Sequence, residues 1–471
     1  MTPILETSPF GRRGLLTGAI AALAVAPLAA CATGGGSDET TTDTGGADKT
    51  DDNPFGVAED ASLEAVIFNG GYGYDYCTFA ADQMKKKFPG LKAEVKPSTQ
   101  IAQELQPRFV GGTPPDVVDN SGAGAMGLGA ILDQLAELDD VFEAKNYEGT
   151  PIADTLFPGV KDPGVYDGKF KVINYVMSVY GIWYSASLFE ENGWTPPKTW
   201  AEALELGAKA KEKGKYLFLW GKEAATYYQT LVVDSAIKEG GDEVRLALEN
   251  LKEGCWSLPQ VQGAIQGLEA IIKAGYMKPG GQGTQFTAAQ AQWSQAQEAL
   301  LYPSGSWIEN EMSKQTKDGF KMTGVPELAV SDSPAMGHEA VRAAAGEPFI
   351  VPAKGKNVAS GKEFMRAMLS KEAATNFAKT RLSPTIVKDT VPADGFGSTA
   401  LVSQTTMLTN AGDKTFNWRF VSLYGTNKDM LVPWNSFLAG QLDAAGLTKA
   451  LQGITDKVRN DDSVKKIEVT K

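Results

Sequence analysis

Hydrophobic and polar positions divide the chain into two regimes at about residue 60. An apolar run over 15–30 follows Arg12 and Arg13 and stops at Cys31. Gly34, Gly35 and Gly36 come next, then Ser, Thr, Asp and more Gly to about Asn53. Beyond residue 60, strand-like and helix-like periods alternate. SLEAVIF (62–68) predicts a strand, DYCTFAADQMKKKF (75–88) a helix, and KAEVKP (92–97) a second strand. Ser98 is placed to cap a helix running through Leu105, and DVVDN (116–120), after Pro114 and Pro115, predicts a third short strand. A β-α-β-α-β order implies a parallel sheet covered by helices. Ligands of such sheets sit at the carboxyl ends of the strands. That rule brings Asn69, Tyr72 and Tyr74, after the first strand, to one rim with Asp119 and Asn120, after the third.

The middle of the chain repeats the style. VYGIWYS (179–185) predicts a strand. The helix after it opens on Thr199-x-x-Glu202, a capping box, with apolar residues at 200, 203, 204 and 208. Ser257-x-x-Gln260 opens another, with Val261, Ile265, Leu268 and Ile272 on one face and Gly275 at its end. EPFIVPA (347–353) predicts a strand, SGKEFMRAMLS (360–370) an amphipathic helix, and 437–458 a C-terminal helix. No repeat and no second linker interrupts this run, so the two lobes expected from 471 residues are interwoven, not strung in series.

The N-terminal pattern reads as an export signal. An h-region of about sixteen residues behind paired arginines is short for a membrane span, and Pro27 breaks its end. Leu28-Ala29-Ala30-Cys31 is a lipobox, which makes Cys31 the lipidated N-terminus. The arginine pair permits the twin-arginine route, and Gly14 keeps Sec export open. Residues 32–60 then form a flexible linker on the outer face of a membrane.

Charge narrows the partners. A net charge of −12 argues against a nucleic-acid or anionic-membrane surface. Cys77 and Cys255 are expected as free, buried thiols, and His338 as a solvated side chain without a metal. Phosphate-loop, nucleophile-elbow, H-E-x-x-H and C-x-x-C motifs are absent, and NGGYGYDY (69–76) lacks the third glycine of a dinucleotide loop. No cofactor is implied. A glycoside hydrolase needs only two carboxylates, and 57 acidic residues leave that alternative standing.

The aromatic residues carry the positive signal. In YPSGSWIENEM (302–312), Ser306-x-x-Glu309 is a capping box, which makes Trp307 the first residue of a helix, beside its unpaired N–H donors. A flat apolar face next to polar hooks matches a pyranose ring, whose faces are C–H and whose edge is hydroxyl. Tyr72, Tyr74, Tyr175, Trp220 and Trp418 are further rim candidates, although aromatic residues fill cores by default.

Four segments carry a resemblance: PPDVV (114–118), DGKFKVINYVMSVYGIWYSASLFEENGWTPPKTWAEALELGAKAKEKG (167–214), ALLYPSGSW (299–307) and GEPFIVPAKGKNVASGKEFMRAMLSKEAATNFA (346–378). In order and together they resemble the extracellular carbohydrate-binding proteins of ABC importers. The N-terminus with FNGGYGYDY (68–76) resembles the actinobacterial subgroup that binds N-acetylglucosamine and N,N′-diacetylchitobiose. The resemblance implies a two-lobed α/β fold of the periplasmic-binding-protein type, with a crossover-strand hinge and a cleft between the lobes. By analogy, lobe I is 61–173 with 343–390, and lobe II is 174–342 with 391–471. Trp307 and Tyr175 carry over as stacking residues, and Asn69, Tyr72, Asp119 and Asn120 as loop positions. AAQAQWSQAQEALLYPSG (288–305) departs from the family's Gly-x-Ala-Ala-Met before the tryptophan. The implied protein is a monomer and no enzyme. It captures a sugar for the ABC permease subunits beside it, held to the membrane by its lipid. The alternatives are a lipid-anchored hydrolase of chitin oligosaccharides and a binding protein for a non-sugar solute such as a peptide.

Overall fold

Ala65, Val66 and Ile67 are all buried, so the strand Ser62–Phe68 (β1) is covered on both faces and belongs inside a sheet. In the computed structural model it pairs in parallel with Lys92–Ser98 (β2) on one side and Val117–Asp119 (β3) on the other. Asp75–Lys87 (α1) and Ile101–Val110 (α2) make the connections. The structure describes residues 46–122, 124–157 and 159–470. The signal segment, the lipobox with Cys31 and the first part of the linker lie outside the described residues. Among the described residues no helix is long and apolar enough to cross a membrane.

Ile173–Ser185 (β4) is thirteen residues long and begins six residues before the expected strand. The reason is pairing that no local pattern announces. Its first half lies antiparallel to Val341–Ile350 (β8); its second half lies between Ala299–Gly305 (β6) and Met322–Val325 (β7). With Tyr216–Phe218 (β5) and Thr415–Phe416 (β9), the described strands give the sheet order β2-β1-β3-β8-β4-β6-β5, β9 lying beside β8 and β7 beside β4. β8 likewise pairs with β3 at Phe349 and Ile350 and starts well before the expected residue 347. β4 and β8 are therefore the crossover strands.

Two main cores flank them. The first joins β1 and α1 to Phe349 and to the helices Val358–Met368 and Lys371–Arg381. The second gathers Phe218, Trp256 and Trp434 around the helices Trp200–Glu212 (α3), Thr226–Gly240 (α4) and Pro259–Lys273 (α5). Cys77 lies in the first core and Cys255 in the second, both free.

Capping divides into hits and misses. Thr199 Oγ1 accepts from Glu202 N at 3.2 Å, and α3 buries Trp200, Ala203, Leu206 and Ala210. Ser98 does not cap α2. It stays in β2, its Oγ accepts from Gln100 N, and the helix starts later, at Ile101. Ser257 closes a short 3₁₀ turn, and α5 begins instead on Pro259, whose fixed φ suits a first helical position. The C-terminal helix is two helices, Asn427–Leu438 and Ala444–Arg459, because Asp443 starts the second by accepting from Gly446 N. The departing segment 288–305 folds as the end of the helix Phe286–Ser294 followed by β6.

Candidate functional site

Every residue of β6 is buried, and the chain leaves it at Gly305 to enter the short helix Ile308–Met312. A Cβ on Gly305 would stand 2.1 Å from the Trp307 ring, so glycine here lets the indole fold back over its own strand. The ring meets Tyr180 edge-on at 5.5 Å and Tyr227 at a tilt at 6.2 Å, and it also packs against the first core. Trp307 thus stands where the two halves meet. Beside it a narrow cavity is lined by Tyr180, Tyr227, Thr230, Ser304 and Glu327. Ser304 Oγ and both carboxyl oxygens of Glu327 are buried without a hydrogen-bond partner. Buried acceptors left unpaired are costly unless something completes them.

The expected capping box at Ser306 does not form. Its Oγ accepts from Val179 N at 3.3 Å and from Ser383 Oγ at 3.4 Å, so the hydroxyl joins the halves and leaves the helix uncapped. Trp307 is the residue before the helix, not its first residue. Glu309 accepts from Ser398 Oγ. Tyr72 OH lies 3.2 Å from Ser383 Oγ, and Asn310 Nδ2 donates to Gly71 O. The loop after β1 therefore touches the Trp307 segment directly.

The first half contributes acids. Asp119 ends β3 fully buried; Ser121 Oγ donates to its Oδ1, and its Oδ2 has no partner. Burial, and then the carboxyl of Glu347, push the Asp119 acid well above its ordinary range. Glu347 is itself pushed up by burial. It sits in β8 with φ +54°, a left-handed conformation that costs a non-glycine residue about 1–2 kcal/mol. The second half has a matching pair, Asp234 and Glu327, also raised by burial. Lys238 stands beside them with its ammonium lowered to about 8 by burial, donating to Glu327 O at 2.6 Å and His338 O at 2.9 Å.

The structure thus brings Trp307, Tyr72 and Asp119 to one region, Glu347 being the acidic neighbour of both Tyr72 and Asp119. Other expected residues lie elsewhere. Tyr175 is inside the first core: its OH donates to Met368 O at 3.0 Å, and its ring is enclosed by Tyr76, Phe349 and Phe377. Strand side chains alternate faces, so Tyr175 points away from the side that Tyr180, five residues on, presents to Trp307. Tyr175→Phe is expected to cost about 1 kcal/mol of stability, read as a lowered denaturant midpoint, with ligand binding unchanged.

Asn120 is consumed locally, both functions of its amide bonding the Met126 backbone. Trp220 is buried over Gly281, and its Nε1 donates to Asn435 Oδ1 at 3.3 Å. Trp418 donates to Asp234 and holds the Arg342 guanidinium at 3.9 Å, which also lies over Tyr180 at 4.0 Å; its link to the cavity is indirect. Tyr74 packs against the first core, and Asn69 is exposed at the rim. Tyr180, Tyr227, Ser304, Glu327 and Glu347 were not singled out in the sequence; only the strand parity of Tyr180 offered a signal. A wider groove of about 640 Å³ lies between β7 and the helix Thr399–Ala411; it shares Glu327 with the cavity beside Trp307 and is lined by His338 but by none of the expected sugar-contact residues. Among the described residues no group of three His, Cys, Asp or Glu side chains could hold a metal ion.

Comparison with known proteins places this geometry in context. The family model described as bacterial extracellular solute-binding protein matches residues 59–375. The chain is 62% identical over 467 residues, 99% of this chain and 100% of the relative, to the diacetylchitobiose binding protein NgcE of Streptomyces coelicolor (strain ATCC BAA-471 / A3(2) / M145). Among solved structures it is similar to the solute-binding protein RafE in complex with raffinose, at TM-score 0.67 and 19% identity over 84% of this chain and 99% of that one. It is also similar to a chitin oligosaccharide binding protein, at TM-score 0.63 and 16% identity over 84% and 98%.

Proposed function

The chain belongs to the bacterial extracellular solute-binding proteins, and on that footing we propose that it captures N,N′-diacetylchitobiose or N-acetylglucosamine for an ABC importer. The observation that carries the ligand is the 62% identity, over almost the whole of both chains, to a diacetylchitobiose binding protein. The site agrees in kind. Trp307, Tyr180 and Tyr227 supply aromatic faces for C–H groups, while Ser304, Glu327 and Asp119 hold unpaired acceptors suited to hydroxyl donors. Two cores joined by β4 and β8 support a reading as lobes, 61–173 with 343–390 and 174–342 with 391–471, that close over the sugar, the first core reaching along β4 as far as Met177. In this reading Cys31 carries the lipid, the protein acts as a monomer at the outer membrane face, and the permease recognises the closed form.

Calorimetric titration with diacetylchitobiose, N-acetylglucosamine, glucose and maltose, followed by analysis of the sugars for cleavage, tests this. Tight binding of an acetamido sugar without turnover is expected. Equal binding of glucose and maltose would overturn the ligand, and turnover would revive the hydrolase. Gly305→Ala is expected to displace the indole and weaken binding by about tenfold or more, without loss of the folded state. The same titration and a melting curve check it.

A further inference from the structure

Glu347 is the only residue of the crossover strand β8 in the left-handed region. Glycine adopts that conformation freely, and Gly346 stands one position earlier. The chain nevertheless keeps a carboxyl at the kink. Strain held at such a point marks a function for the side chain it aims. β8 pairs with the end of β3, Phe349 opposite Asp119 and Asn120 N donating to Pro348 O at 2.8 Å, and this register brings Glu347 beside Ser121 and Asp119. Asp119 Oδ2 is buried there without a partner. Asp119 is fully buried and Glu347 half-buried beside it; two neighbouring carboxyl groups so placed resist ionising together, so one proton serves the pair. A pair in that state offers one donor and several acceptors. An acetamido group carries its acceptor and its donor on separate atoms, a carbonyl oxygen and an N–H, so each can meet one carboxyl, whereas a hydroxyl carries both on a single oxygen.

We propose that Glu347 is a specificity-determining residue that, together with Asp119, reads the amide of an acetamido sugar. One carboxyl gives a hydrogen bond to the amide carbonyl and the other takes one from its N–H. The inference rests on the acetamido reading of the site. The other titratable groups around the pair are Tyr72 from the loop after β1, Tyr76 and Cys77 from α1, and Arg381 near Cys77, bound to Asp75 at 3.0 Å. Burial pushes Tyr72, Tyr76 and Cys77 upwards, so they stay uncharged while the pair titrates.

The sign follows from the raised acids. Binding that needs the shared proton is complete below the raised value and is lost as pH rises through it. The test titrates diacetylchitobiose and cellobiose, which carries hydroxyls where the acetamido groups stand, from about pH 5 to about pH 9. For the wild-type protein the preference for diacetylchitobiose should fall by about tenfold per pH unit above the shared pKa. Glu347→Gln should remove that dependence. Glu347→Gly, which relieves the kink, should melt higher and lose about tenfold or more of the preference. An unchanged preference and pH profile in Glu347→Gly and Glu347→Gln would overturn the role of Glu347 and leave the ligand intact. Wild-type protein that fails to bind diacetylchitobiose at any pH would overturn the ligand and this inference together.

Discussion

Trp307→Ala is expected to weaken diacetylchitobiose binding by about 2–4 kcal/mol, roughly 30- to 1,000-fold. The indole lies at the seam between the halves, half-buried, with Tyr180 and Tyr227 against it and the unpaired Ser304 and Glu327 close by. Replacing it removes the flat face on which a pyranose would rest and admits water to the polar groups that would hold the ring's hydroxyls. The fold should survive. The ring is only partly buried, so the cavity term that makes a core Trp→Ala cost about 3–5 kcal/mol applies in part. Calorimetry and a melting curve separate the two effects. If affinity is unchanged while the melting point falls, the indole is packing that joins the halves and the sugar lies elsewhere.

How much of this was legible depended on whether the cause was local. β1 and α1 came out within a residue because their periods are written in consecutive side chains. The lengths of β4 and β8 did not, because Ile173–Ser178 become strand only by pairing with residues more than 150 positions away. The cap at Thr199 was readable and those at Ser257 and Ser306 were not. The Ser306 hydroxyl, for example, is taken by Val179 and Ser383, which are distant in sequence. Asp119 was reachable from the rule that parallel strands carry ligands at their carboxyl ends. Tyr175 drew attention as an aromatic on the crossover strand, but parity turned it into the core and gave the seam to Tyr180. Glu347 had no sequence signal at all. Its importance lies in a backbone kink, and a left-handed glutamate looks like any other glutamate until the strand is built.

The largest stability effect lies far from any sugar. Arg366 and Glu363 form a buried ion pair on the helix Val358–Met368, at 2.9 Å, with about 2% and 0% of their side chains exposed. Arg366 also donates to Lys145 O at 2.6 Å and Asp52 O at 3.0 Å, and Tyr147 OH donates to Glu363 at 3.0 Å. One side chain thus ties the start of the folded region and the Lys145 loop to the first core. Arg366→Ala strands the Glu363 carboxylate and two backbone carbonyls, and is expected to cost about 3–5 kcal/mol, a large share of a total stability of about 5–15 kcal/mol. Lysine should rescue little, because one ammonium cannot span acceptors that a planar guanidinium reaches together. Burial already pushes the Glu363 acid upwards while Arg366 and Tyr147 oppose it. Without the arginine its folded value rises further above the unfolded one. The variant's deficit should therefore be smaller below the unfolded pKa, where only the loss of the two carbonyl bonds remains, and grow as pH rises towards the folded one. Thermal unfolding at about pH 4 and about pH 7.5 reads this directly. The double variant Glu363→Leu/Arg366→Met should recover the part of the loss that comes from the stranded carboxylate, since an apolar pair leaves no charge behind, while the Lys145 and Asp52 carbonyls stay unpaired. A single variant that melts like the wild type at both pH values would mean that water reaches Glu363 and that the pair is not the fastening it looks.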